Sequence, residues 1–144
     1  MGRILIYILI ALVVLAIIYR LYAQFGTRPP ANIGKNLDCP NKPNCVSSAA
    51  ADDHAIDPLT FDGDAQAAHD RLLTILKGLP RTTIETDRPD YIHAVTRSAL
   101  WGFPDDVEFV IGDGRIDVRS AARMGQSDLG VNRARIEAIR AQFE

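Results

Sequence analysis

Between Arg119 and Arg135 the chain reads Arg-Ser-Ala-Ala-Arg-Met-Gly-Gln-Ser-Asp-Leu-Gly-Val-Asn-Arg-Ala-Arg, and no other stretch gathers so many hydrogen-bond donors. Each arginine carries a planar fork that matches a carboxylate or a phosphate. Gly125 and Gly130 permit φ > 0 or a close backbone approach. Ser127 and Asp128 suit bonds to nearby N–H groups, and Asn132 is placed to cap a helix through Ile136, Ile139 and Phe143. The N-terminus of that helix would then face the arginines. One expectation is therefore an anion site made by Arg119, Arg123, Arg133, Arg135, Ser127 and Asn132, suited to an anionic small molecule. The other is structural: the same arginines pair with Asp105, Asp106, Asp128 and Glu137 and tie the loop to a sheet.

Elsewhere the chemistry is sparser. Asp105 and Asp106 are adjacent, so on a strand they point to opposite faces and make a poor catalytic dyad. The sequence has no Ser-His-Asp order, no His-Glu-x-x-His helix and no Gly-Lys-Ser phosphate loop. His54, His69 and His93 are scattered rather than spaced as zinc ligands. No catalytic residue, metal or cofactor is expected, and His69 reads as a solvated surface side chain. Cys39 and Cys45 bracket a turn-rich Pro-Asn-Lys-Pro-Asn loop whose length lets the two sulfurs meet. A disulfide is the first reading; two reduced cysteines are the alternative if the domain is cytoplasmic.

The elements that would carry these residues follow from periodicity. From Asp64 to Leu79 apolar residues recur at three and four, with Asp62 or Asp64 as cap and Gly78 and Pro80 as terminators, which predicts an amphipathic helix. Thr82–Thr86, Tyr91–Ala99, Val107–Ile111 and Arg115–Arg119 are strand-like and are separated by short turns, of which Gly112-Asp113-Gly114 is the clearest hairpin signal. Val107, Phe109, Ile111, Ile116 and Val118 should face the core, leaving Glu108, Arg115, Asp117 and Arg119 on the other face or at its edge. Trp101 and Phe103 either close one end of the core or form a binding lip. The fold class is α+β: an antiparallel sheet of about four strands flanked by two helices.

At the other end, Ile4 to Tyr19 is entirely apolar or aromatic, and extension to Ala23 gives about 20 residues, enough for a hydrocarbon core of about 30 Å. Arg20 can snorkel. The run is too long for a signal peptide and lacks a small-x-small cleavage site, so residues 1–23 read as an uncleaved transmembrane anchor in contact with the lipid bilayer. Residues 24–36, with Gly26, Pro29, Pro30 and Gly34, read as a linker, and 37–144 as the domain. With Arg3 and Arg20 set aside, 14 basic residues face 18 acidic ones, about −4 beyond the anchor, which argues against nucleic acid or an anionic lipid surface as partner of the domain. Arg20, Arg28 and Lys35 after the span lean toward a cytoplasmic domain; the cysteines lean toward the periplasm, which is the expected side of the inner membrane.

Three motifs occur in order: Cys39-Pro-x-x-Pro-Asn-Cys45-Val-Ser-Ser48, Phe103-Pro-Asp-Asp-Val-Glu-Phe109, and Arg119-Ser-x-x-Arg123-x-Gly125-x-Ser127-Asp128-x-Gly130-x-Asn132-Arg133-x-Arg135-Ile136. Together they resemble the bacterial and plastid family called domain of unknown function 1499, over most of Leu37 to Phe143. Ala122 departs from the pattern, which usually has serine there. The resemblance implies a small, often membrane-anchored or exported domain and assigns no catalytic residue. Two functions remain: a non-enzymatic envelope module that binds an envelope protein or serves a structural role, and an enzyme or carrier for an anionic small molecule. Arginines that are internally paired favour the first; two or more unpaired arginines in a concavity favour the second.

Overall fold

The computed structural model describes residues 2–144. It opens with the apolar helix α1, Gly2–Leu21, which continues as a π-helical turn, Tyr22–Gly26. There follow the short strands β1, Cys45–Ser47, and β2, Leu59–Thr60; the helix α2, Ala65–Gly78; the strands β3, Thr82–Arg88, β4, Tyr91–Arg97, β5, Pro104–Ile111, and β6, Arg115–Ala122; and the helix α3, Val131–Phe143. The fold is α+β. The four strands read from alternation are joined by β1 and β2, which are too short to carry a periodic signal and pair end to end along the outer edge of β6. All strand pairings are antiparallel, in the order β1-β6-β5-β4-β3.

α2 begins where its cap residue dictates: Asp64 has extended backbone and accepts a hydrogen bond from the Ala67 N–H. Its apolar stripe, Ala68, Leu72 and Leu76, meets Ile136, Ile139 and Phe143 of α3, and both helices lie on the face formed by Ile92, Val107, Phe109, Ile111, Ile116 and Val118. His69 departs from expectation. It is buried on α2 with Nε2 2.9 Å from Asp87 of β3 and Nδ1 3.0 Å from Asp70, because α2 packs against β3 along that side.

β5 is buried at every position but Val110, a pattern that requires cover on both faces of the sheet. The helices supply one cover. The other comes from the segment expected as a spacer. Chain from Thr27 to Asp38 lies across the second face as a strap, with the Thr27 carbonyl accepting from Arg123, the Gly34 N–H donating to Glu108 and the Asp38 carbonyl accepting from Arg119. Gly34 takes φ +70°, a conformation that lets its N–H reach the sheet. Cys39 then joins Cys45 of β1 in a disulfide, so the strap is bound covalently to the sheet edge.

Trp101 and Phe103 do not join the buried core. They sit in the β4–β5 loop, stacked with centroids 6.5 Å apart, and Tyr19 of α1 meets both edge-on at 6.2 and 5.8 Å.

Candidate functional site

The four arginines of the 119–135 segment do not converge. β6 alternates its side chains between the two faces, the chain then turns at Gly125 and Gly130, and α3 returns on the helical face. Arg119 and Arg123 consequently lie under the strap, Arg135 lies between the sheet and α3, and Arg133 is exposed at the edge.

Under the strap, Glu108 is the centre of a closed set. Its Oε2 accepts from Arg119 Nη1 at 2.7 Å, and its Oε1 accepts from the Tyr91 hydroxyl at 2.6 Å and from the Gly34 N–H at 2.9 Å. Glu108 and Arg119 are both almost wholly removed from solvent, so each charge depends on this set for compensation. Burial, reinforced by the bond to Glu108, pushes the Tyr91 hydroxyl well above its ordinary pKa and keeps it a donor. One register step away, Asp106 receives Arg123 as a fork, Nε at 2.8 Å and Nη2 at 2.7 Å, and lies 2.8 Å from His93 Nε2. Burial opposes ionisation of Asp106, but the bonds from Arg123 and His93 outweigh it and hold the carboxyl below its usual range.

On the helical face, Arg135 spans Asp105 Oδ2, Ser120 Oγ and Asn132 Oδ1 at 2.5, 3.0 and 2.5 Å. The outcome for Asp105 is opposite to that for its neighbour: burial dominates the attraction of Arg135 and the carboxyl is raised. Asn132 is not the helix cap. It lies inside the first turn of α3, fully buried, with Nδ2 donating to the Asn44 carbonyl and to Asp128. The cap position is Gly130, at φ +82°, and Asp128 supplies the anion: its Oδ2 accepts from the Asn132 N–H at 2.7 Å and its Oδ1 from the Gly130 N–H at 3.1 Å. Burial acts against the Asp128 charge, yet these N–H donors leave its pKa lowered. The donors that would have received a ligand are thus occupied by a residue of the loop. Exposed Ser127 closes a tight turn by accepting from the Leu129 N–H. Arg133 donates to the carbonyls of Ala55 and Asp53.

Of the structural pairings expected, Arg123 with Asp106 and Arg135 with Asp105 are present. Arg119 finds Glu108 instead, and Glu137 pairs with Arg140. Sequence reasoning passed over Glu108, Tyr91 and His93. Their signal was the run Asp-Asp-Val-Glu-Phe-Val-Ile, where Val110 was already out of place on a solvated face. Among the described residues no cluster of His, Cys, Asp and Glu suits a metal ion.

More than one concavity borders these side chains: Asp128, Gly130 and Arg133 help line one of about 330 Å³ with Asp53 and His54, and another lies beside Arg119 and Arg123. The latter, a cleft of about 460 Å³ between the strap, the disulfide loop and β6, is lined by Arg28, Asp38, Lys42, Asn44, Arg119 and Arg123 among others. In it, Asn44 donates to the Gly125 carbonyl, while its buried Oδ1 has no partner among the described residues.

No curated protein and no solved structure matches the chain. A family model described as "Protein of unknown function (DUF1499)" matches residues 37–143, which include the disulfide, both ion-pair sets and α3. The chain belongs to that family.

Proposed function

We propose that the protein is a single-span, membrane-anchored module of non-enzymatic character, with its domain on the periplasmic side of the inner membrane, serving to bind an envelope partner or to build structure there. The observation that carries it is the internal use of the arginines: Arg119, Arg123 and Arg135 each end on a carboxylate, and Arg133 on two main-chain carbonyls. A segment so occupied is a scaffold that fixes the strap and α3 to the sheet. The helix α1 supports the anchor, since its apolar side chains are exposed throughout and it is long enough to cross a bilayer. The Cys39–Cys45 disulfide supports an oxidising compartment.

Alkaline carbonate washing of membranes tests the anchor. The protein should stay in the pellet, and its recovery as a soluble, N-terminally processed species would overturn the reading. Thiol labelling of the unfolded, non-reduced protein from its native compartment tests the side. No free thiol is expected, and two labelled cysteines would place the domain in the cytoplasm.

The cleft beside β6 favours a second reading, a carrier of an anionic small molecule. Arg28 and Lys42 line it without a carboxylate partner among the described residues. A thermal-shift screen of phosphates and carboxylates against the full chain decides between them, since a specific ligand stabilises by RT ln(1 + [L]/Kd). A concentration-dependent rise that Lys42→Ala abolishes would favour the carrier.

A further inference from the structure

The β4–β5 loop presents the largest apolar residues that the domain leaves uncovered beside α1. Leu100 is 68% exposed and Trp101 39%, on a tip where Gly102 takes φ +72°. The tip is held open rather than collapsed. Ser98 N–H donates to the Phe103 carbonyl, Phe103 N–H donates to Ser98 Oγ, and Gly102 N–H donates to the Ser98 carbonyl. The loop therefore keeps its shape without folding Leu100 onto the core.

Its position along α1 is fixed by Tyr19, which packs against both Trp101 and Phe103. If Ile4–Ala23 fills the hydrocarbon layer, Tyr19 lies four residues, about 6 Å, inside its end, just below the headgroup level at which aromatic belts sit. Tyr22 and Phe25, exposed on the same end of the chain, continue the apolar surface outward from that level. A tryptophan joined to a tyrosine at this depth, with an exposed leucine beside it, has the amphipathic chemistry of an interfacial contact rather than of a water-facing hairpin.

We propose that the Ala99–Gly102 loop tip inserts into the lipid interface next to α1, so that the domain is held against the bilayer at two points. The occupant is lipid, because the patch is continuous with a helix that is apolar and unburied from Ile4 to Tyr19, and because the tip carries no charge of its own. The inference rests on the anchor reading, and goes beyond it by giving the domain a fixed tilt and height.

Trp101 is the single tryptophan of the chain and serves as the probe. The full-length protein is reconstituted into phosphatidylcholine–phosphatidylglycerol vesicles, with and without lipids brominated high on the acyl chain. Flotation with the vesicles and resistance to carbonate report the anchor; Trp101 emission reports the loop. The expected result is blue-shifted emission, loss of intensity with bromolipid and poor access to aqueous iodide. Leu100→Asp should lose the bromolipid quenching while the protein still floats. Floating protein whose Trp101 is open to iodide and untouched by bromolipid overturns the insertion alone, and quenching unchanged in Leu100→Asp overturns the role of the tip. Shielding from both quenchers overturns lipid as the occupant in favour of a protein. Protein that does not float overturns the anchor and the insertion together.

Discussion

Glu108 has three donors and no solvent, so the consequence of changing its partners can be stated with a sign and a size. Arg119→Met removes the only positive charge bonded to it and leaves a buried carboxylate, a change that costs about 3–5 kcal/mol when a pair is fully buried. Urea denaturation of the detergent-solubilised protein should show that loss, and the double variant Glu108→Gln, Arg119→Met should regain much of it; equal midpoints for parent and Arg119→Met would refute the keystone role. Asp106 makes a separate statement about acid. Its pKa is lowered from 3.8, so its contribution is complete above 3.8 and disappears as the pH falls through the lower folded value. Asp105, raised from the same 3.8, works the other way: it imposes a penalty above its folded pKa that acid relieves. Asp106→Asn should therefore flatten the loss of stability below pH 3.8, whereas Asp105→Asn should steepen the net loss between its raised folded pKa and pH 3.8 by removing the opposing trend; denaturation midpoints on both sides of pH 3.8 check the two separately. Neither carboxylate behaves as half of a catalytic pair, since they occupy opposite faces of β5.

At the level of elements, the two glycines of the 119–135 loop act through the backbone. Gly125 and Gly130 hold φ +85° and +82°, and alanine in the left-handed region costs about 1–2 kcal/mol. Both Gly→Ala variants should lower the denaturation midpoint with no change of charge, and unchanged midpoints would show that the loop tolerates another path. Asp128→Ala should cost about 1 kcal/mol or more, because it strips the cap from α3 and a partner from Asn132. These elements also show what the sequence could and could not say. α2 was legible to within a residue, because a 3.6-residue stripe and an aspartate cap are local signals. β3 to β6 were legible because alternation and turn residues are local too. The partner of Arg119 was not, since Glu108 and Arg119 meet across the β5–β6 register, and their burial depends on a strap some 70 residues earlier in the chain. His69 was missed for a similar reason: only the approach of β3 reveals that its side of α2 is covered. The basic segment stands out in composition, but composition cannot say which side of a sheet each guanidinium will occupy.

For the whole molecule, the strap converts a sheet with one covered face into a three-layer arrangement in which the middle strands are buried on both sides. The ring closed by Cys39 and Cys45 is small, so its loss should lower stability by less than the 2–4 kcal/mol typical of disulfides. The double variant Cys39→Ser, Cys45→Ser should instead loosen the strap. In hydrogen exchange the Gly34 amide should lose protection while those of Val107 and Val118 keep theirs; equal protection of Gly34 in both proteins would mean that Glu108 alone holds it. The strap is also the mechanical link between α1 and the domain. Tension drawn through the helix meets the Tyr19 contact with Trp101 and Phe103, then along the strap the Arg123 bond at Thr27, Glu108 at Gly34 and Arg119 at Asp38, and only then the covalent clamp at Cys39. Peeling the chain from Thr27 to Cys39 would release about 40 Å of slack before any load reached the sheet edge. A pull on the α1 end is thus absorbed one hydrogen bond at a time, and the disulfide sets the point beyond which the segment can no longer lengthen without unfolding the domain itself.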